Sequence, residues 1–408
     1  MNAFVSRHRP TVAVIDLAKI AGNFRLLTAA VHPDAFVCPM VKANAYGHGD
    51  AAVAMKLRDA GAKHLGVALI EEGLGLRNGG DLGSILQFGF FDAYGAEAML
   101  QNKITPMISS LEALELWIKA VESEKDAGRV ETPVSVHLKI NTGMNRLGVP
   151  LDGIAAVAKK LAATRGFVRL DGIATHLSDG DDFVVEGGRS ETQLDRFRKA
   201  EREIRAAGLT DFKCHLANSS ATRALKQIGL GDSRYQDLGI RPGIALYGVE
   251  PDAEKVAEVG VQPALRWLSR LMHIQDVRQG EGVSYGGRWI APRNSRVGVI
   301  PCGYADGYRR AFNSQGRAEV IVGGRRVPVV GTVCMDYFMC DLTDVQNPQV
   351  GDIVTLIGEA ENRSTSVTAV ELAGLANTIS YEVFTGISER VPRLYVDGEA
   401  SIGVTSIQ

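Results

Sequence analysis

Phe36-Val-Cys-Pro-Met-Val41 is a short, mainly apolar run that ends on Lys42, and the chain then passes through the small, glycine-containing segment Ala43-Asn-Ala-Tyr-Gly-His-Gly49. Runs of the same kind recur at 65–70, 85–88, 104–108, 134–140, 170–174, 212–216 and 240–246. Between them lie helix-like patterns: Leu111, Leu114 and Ile118, opened by the capping signal Ser109-x-x-Glu112, then 154–161 and 194–204. Mainly apolar runs of this length, alternating with helices, indicate parallel strands covered on both faces. About eight such units in roughly 250 residues predict a (β/α)8 TIM-type barrel rather than an open doubly wound sheet.

The character of the chain changes beyond the barrel run. Runs at 271–277, 296–300, 318–322, 327–330 and 353–357 read as strands joined by turns such as Gly323-Gly324, with one amphipathic helix at 367–377. The division expected is a barrel domain over 1–262 and a mainly β domain over 263–408, with 250–262 as linker. A first strand at 11–15, followed by Asp16 as a helix N-cap, is a candidate to pack with the C-terminal domain.

Forty-five Lys plus Arg against 47 Asp plus Glu, and 45% hydrophobic residues in 408, describe a near-neutral chain with ample material for cores. That excludes a disordered linker and gives no net field to recruit nucleic acid or a membrane surface. No apolar run approaches the roughly 18 residues of a membrane span, and residues 1–10 do not read as a secretory signal. The five cysteines are scattered and form no CxxC, which argues for free thiols in a reduced, cytoplasmic setting and against a metal site.

In a barrel of this kind reactive groups sit at the carboxyl ends of strands. Those ends carry Lys42, Lys139 with Arg146 after it, His176, Asn218 with Ser219, and Arg241 followed by Gly243. Cations with almost no carboxylate suit a phosphate or carboxylate ligand. A lysine partly removed from water beside other cations becomes an amine nucleophile able to form a Schiff base. Each residue alone also admits a plainer reading. Lys42 would be a salt-bridged strand-end lysine, Lys139 would hold its head in solvent, and Ser219 would cap a helix starting at residue 220.

The segment from Val41 to Gly49 resembles the pyridoxal-phosphate attachment signature of the alanine racemases, and further stretches follow in that family's order. These include Leu138-Lys-Ile-Asn-Thr-Gly-Met-Asn-Arg-Leu-Gly148, Thr175-His176, Asn218-Ser219 and Arg241-Pro-Gly-Ile-Ala-Leu-Tyr-Gly248. Beyond them come Ser284-Tyr-Gly286, Gly303-Tyr-Ala-Asp-Gly307, Cys334-Met-Asp336 and Ile379-Ser-Tyr-Glu382, so that the resemblance spans about residues 11 to 395. It implies a homodimer with shared active sites that interconverts L- and D-alanine for the peptidoglycan cell wall. Lys42 would hold pyridoxal phosphate and serve as one acid/base group, and Tyr285 from the partner subunit would be the other. His176 and Arg241 would stand behind that tyrosine, because a phenol is a poor base at neutral pH unless cations stand beside it. Arg241 would also face the pyridine nitrogen and keep it unprotonated.

By the same resemblance Tyr46, Asn218, Ser219, Gly243, Ile244 and Tyr381 hold the cofactor. Arg146 and the Met335 N–H from the other subunit would hold the substrate carboxylate, and Tyr304 and Arg310 would line the entry. Lys139 aligns with a lysine that some members carry as a carbamate, but Asn141 stands where Asp is expected. Two other readings share the barrel. A cofactor-homeostasis protein would lack the β domain and Tyr285, and a decarboxylase of basic amino acids would place an acidic residue where Arg241 stands. Tolerance for serine stays open.

Overall fold

The computed structural model describes residues 9–183, 185–228, 235–250 and 259–398. Most of the expected linker, 251–258, and residues 1–8 lie outside these. The chain divides into two compact units: Ile20–Ala45 with Asp50–Gln262, and Met1–Lys19 with Tyr46–Gly49 and Pro263–Gln408.

In the first unit seven parallel strands pair in chain order: His64–Val67, Ser84–Gln87, Ile104–Ile108, Val134–Lys139, Val168–Ala174, Lys213–Ala217 and Leu238–Ile240. The extended segment 36–41 closes the ring. Cys38 N–H donates to the Ile240 carbonyl (3.0 Å) and Ile240 N–H to Phe36 (2.8 Å), while on the other side Val41 donates to Gly66 and Gly66 to Pro39, both at 2.9 Å. Eight staves therefore form a barrel, and the weakest of the expected runs, at 85–88, is a strand paired on both sides. The helices bury one stripe each. In Leu111–Asp126 this is Leu114, Trp117, Ile118 and Val121, the i, i+3, i+4, i+7 spacing of a helix face.

Local departures from the sequence reading have local causes. Helix Leu111–Asp126 is capped by Ser110, whose hydroxyl accepts the Ala113 N–H, not by Ser109. The run 65–70 is strand only to Val67, since Ile70 opens the helix Ile70–Asn78. The run 240–246 stops as strand at Ile240, because Pro242 has no N–H to continue a ladder, and Ile244–Tyr247 coils into a buried 3-10 turn.

The second unit is built on a ten-stranded sheet in the order His273–Val277, Ser295–Ile300, Phe338–Asp341, Arg325–Val330, Glu319–Val322, Ile353–Glu359, Leu265–Arg270, Val12–Asp16 and Arg393–Val396, with Ser366–Val367 paired to Ile353–Glu359. Strand Leu265–Arg270 went unread in the sequence. Gly323 and Gly324, at φ 58° and 76°, make the two-residue hairpin that the sequence predicts. The helix is Ala369–Leu375, capped by Thr368. Asp16 caps the helix Leu17–Thr28 through the Lys19 N–H. No helix among the described residues is long and apolar enough to cross a membrane.

Candidate active site

Lys42 emerges where segment 36–41 ends, and the backbone after it is unusual. Ala43, Asn44, Ala45 and Tyr46 all lie near φ 50–54°, a short left-handed turn made without glycine. Such a conformation costs about 1–2 kcal/mol per residue and persists only when the surroundings enforce it. Here Glu72 Oε1 accepts the Ala43 N–H (2.7 Å), Ala45 N–H reaches the Val41 carbonyl (2.9 Å), and Asn44 Oδ1 accepts the Asp50 N–H (2.9 Å). Glu72 Oε2 is spent on the N–H groups of Ala68 and Leu69. That carboxylate thus orders the backbone beside Lys42 and forms no ion pair with the ammonium among the described residues.

The other strand-end cations converge with Lys42. Lys139 ends Val134–Lys139 and is only 8% exposed. After it, Asn141 Oδ1 accepts the N–H groups of Gly143 and Asn145, and Val149 bonds back to the strand, so Arg146 rides on a closed loop. Burial, then Arg146 and Arg241, lowers the Lys42 pKa from its ordinary value, with Glu72 opposing. Burial, then Arg241, Arg146 and Lys42, pulls Lys139 down to about 8. The salt-bridged reading of Lys42 and the solvent-facing reading of Lys139 both fail.

Arg241 is buried with no carboxylate partner among the described residues. Its guanidinium donates to the carbonyls of His215 (2.6 Å) and Thr175 (2.7 Å) and meets Nδ1 of His215 (3.0 Å) and of His176 (3.3 Å). Burial brings its pKa to about 10, so it stays charged at neutral pH. A guanidinium has only donors, so both imidazoles must offer a bare Nδ1, and the His176 proton sits on Nε2. Burial and the surrounding cations hold His176 well below its usual pKa.

Helix Ser219–Ile228 is capped by Asn218, whose Oδ1 accepts the Ala221 N–H (3.0 Å). Ser219 is therefore not the cap. Its hydroxyl accepts from Gly243 N–H (2.9 Å) and Ala245 N–H (3.2 Å), which brings the turn 243–245 to the start of that helix. Hydroxyl, backbone N–H groups and a helix N-terminus together are what a phosphate needs.

The remaining residues singled out in the sequence lie in the second unit. Tyr285 is 75% exposed on a short turn after Ser284, whose φ is 64°. Tyr304 and Met335 stand on two loops joined by Tyr304 N–H to Cys334 O and Ala305 N–H to Met335 O, both 3.0 Å. Arg310 opens the 3-10 turn Arg310–Asn313. The rings of Tyr46 and Tyr381 lie 5.9 Å apart. Several supporting residues went unread: Glu72, His137, His215 and Gln193, the last bonding both Thr142 Oγ1 and the His176 carbonyl. The two histidines did carry a signal, since each interrupts an otherwise apolar strand directly before a leucine.

Residues 15–251 match the model of the alanine racemase N-terminal domain and residues 264–395 that of the C-terminal domain. An alanine racemase of Geobacter sulfurreducens is 37% identical over 391 residues, covering 95% of this chain and 98% of that one. The solved alanine racemase from Streptomyces lavendulae superposes with a TM-score of 0.85 at 32% identity, covering 96% and 98% of the two chains. That of Bacillus anthracis with bound L-Ala-P does so at 0.84 and 30%, covering 96% of each. With both domain models matched in order over nearly its whole length, the chain belongs to the alanine racemase family and is an amino-acid isomerase.

Proposed function

We propose that the protein interconverts L- and D-alanine with pyridoxal phosphate bound through Lys42. The observation that carries this reading is a half-buried lysine of lowered pKa, with no ion-pair partner among the described residues, beside the buried cations Lys139 and Arg241. The residues suit the cofactor: the Ser219 hydroxyl, held by the N–H groups of Gly243 and Ala245, with the Ile244 N–H and the helix start for its phosphate, to which the family resemblance adds Asn218, Tyr46 and Tyr381. Arg241 would face its ring nitrogen. Bound pyridoxal phosphate supplies an electron sink that makes the substrate Cα–H acidic.

The chain's own groups then move the proton. Arg146 and the Met335 N–H supplied by the partner subunit hold the substrate carboxylate, which fixes the Cα–H between two groups. From L-alanine the phenolate oxygen of Tyr285, supplied by the partner subunit, takes the proton on one face. The Lys42 ammonium returns one on the other face, and the reverse direction exchanges the roles. His176, with its proton on Nε2, donates toward the tyrosine oxygen and steadies the phenolate. Arg241, which stays charged and has no carboxylate partner among the described residues, would not give up a proton to the ring nitrogen, which favours return of the proton to Cα. Tyr304 and Arg310 line the approach. Lys139, close to neutral near pH 8, is suited to take up carbon dioxide as a carbamate that would face Arg146. The setting is a cytoplasmic homodimer that supplies D-alanine for peptidoglycan.

The test is chiral analysis of alanine after incubation of purified protein with pyridoxal phosphate and L-alanine, across a panel of amino acids. D-alanine formed by the native chain and not by Lys42→Ala supports the reading. No D-alanine from the native chain, or equal amounts from both, overturns it.

A further inference from the structure

Beneath Arg241 the barrel core is not apolar. His215 and His137 lie behind the guanidinium, 0% and 3% exposed, with His215 Nε2 2.8 Å from His137 Nδ1. Their rings meet edge-on at 64° with centroids 5.0 Å apart, and Phe36 packs against both, 4.4 Å from His215 and 5.2 Å from His137. Space for this pair is made by the backbone, since a Cβ on Gly172 would stand 2.2 Å from His137 Nδ1.

The hydrogen bonds allow one arrangement of protons. Arg241 Nη1 can only donate, so His215 Nδ1 accepts and its proton is on Nε2. That N–H points at His137 Nδ1, which must therefore be bare, placing the second proton on His137 Nε2. A protonated His215 would set an N–H against the guanidinium. Burial, with Arg241 beside it, opposes protonation, holding His215 well below its usual pKa and, against the pull of the Asp171 carboxylate, His137 at about 3.

We propose that His137 is a positioning residue: by accepting the proton of His215 Nε2 it locks that ring in the tautomer that receives Arg241, and so fixes the guanidinium beneath the active site. Without an acceptor at His137, the buried Nε2–H of His215 has no partner. The ring then gains by moving its proton to Nδ1 or by turning, and either change puts a donor or an apolar edge where Arg241 now has an acceptor. The guanidinium would still hold the carbonyls of His215 and Thr175 but lose the contact that sets its plane. The kinetic consequence rests on the function proposed above, and the tautomer does not.

The test has two arms. In the full chain labelled with 15N at the histidine rings and without cofactor, long-range 1H–15N correlations should show His137 and His215 neutral with the proton on Nε2, unchanged between about pH 6 and 8. A proton on His215 Nδ1, or titration of either ring in that range, overturns the proposal whatever the protein catalyses. In the loaded enzyme, His137→Phe should lower kcat about ten-fold, the worth of one hydrogen bond in a barrier, with KM for alanine nearly unchanged because Arg146 is untouched. His137→Asn, which can place an amide oxygen near the Nδ1 position, should restore most of the rate. Native kcat in His137→Phe, or equal loss in both variants, overturns it. If His137→Phe does not fold, the native tautomer and the rate of His137→Asn still decide. A native chain that makes no D-alanine while showing both Nε2 tautomers refutes the proposed function and leaves the lock standing.

Discussion

Two clusters of charge sit in the same barrel unit and behave in opposite ways. On helix Arg189–Ala206, Arg198 reaches Glu201 at 2.7 Å and both oxygens of Asp237, at 2.5 and 2.7 Å, while Arg205 holds Glu201 at 2.9 Å. Hydrogen bonding to Asp237, then to Glu201, raises the Arg198 pKa against the cost of burial. Burial pushes the Asp237 carboxyl up, and Arg198 more than reverses this and leaves it below its ordinary value. Glu201, Cys214 and Asp237 lie close enough to suggest a metal, but their carboxylates are already neutralised by arginine. At the barrel mouth burial lowers Lys42, Lys139 and Arg241, Arg146 and Arg241 lower the two lysines further, and no carboxylate among the described residues pairs with them. Cations alone do not mark a site. Cations left short of anions do, because folding accepted their cost for a ligand to repay.

The comparison breaks first under substitution. Lys42→Ala should lower racemisation on the order of 10²–10⁴-fold, the contribution of a positioned acid/base group. It should leave the denaturation midpoint unchanged or raised, because an unpaired cation is gone. Arg198→Ala should do the reverse. It should cost about 2 kcal/mol of stability by leaving Glu201 and Asp237 short of a partner, while kcat per folded molecule stays native. Urea melts and steady-state assays on both variants check this, and equal stability losses would erase the distinction.

On the proposed function the mouth also differs from the Arg198 cluster in needing a second acid/base group, Tyr285. If that tyrosine comes from the partner subunit, Lys42→Ala and Tyr285→Phe chains, each nearly inactive, should complement when mixed by unfolding and refolding. In the mixed dimer one of the two sites is intact. Random pairing then restores about a quarter of native activity. No recovery would place the second acid/base group within one chain.

What the sequence disclosed follows from range. The barrel was legible because apolar runs and helical stripes are local, and Lys42, Lys139 and Arg241 were legible because a strand end is a local position. The left-handed turn 43–46 was not, since alanine, asparagine and tyrosine have no preference for it. It is imposed by Glu72, nearly 30 positions away in the chain, and by the Val41 and Asp50 backbones. The plainer reading of Ser219, as a helix cap, fails for want of range: its partners, Gly243 and Ala245, come from the following barrel turn. His137 and His215 are 78 positions apart and meet only once the barrel closes.

Anions offer a gentler probe. On the proposed function pyridoxal phosphate binds the folded mouth and not the unfolded chain, so at about 100 times its dissociation constant it should stabilise the native chain by about 2.7 kcal/mol. Inorganic phosphate should do so more weakly and at higher concentration. Lys42→Ala should lose much of the first effect and keep most of the second, since Ser219 and the turn 243–245 remain. Sodium chloride at matched ionic strength serves as control. An equal gain from it would mean that screening, not a ligand, relieves the mouth.

The smallest effect is the most diagnostic of electrostatics. Lys139 has a folded pKa of about 8 against an ordinary 10.5, so between those values the unfolded chain binds the extra proton. Stability from this group therefore rises with pH across that window, while below about 8 both states are charged and the penalty is constant. Lys42 acts in the same direction. Buried thiols and the Tyr308 phenol, pushed up by burial, act oppositely in the alkaline range, so the total slope is not the measure. The difference between native and Lys139→Met is. The native chain should gain on the variant as pH rises from about 8 to 10.5 in urea melts. Glu201→Gln should run parallel to native, because that substitution leaves Lys139 and its surroundings untouched. Parallel native and Lys139→Met curves would mean that Lys139 is not held in the low-dielectric mouth, and that the mouth is no more strained by charge than the paired cluster on the helix.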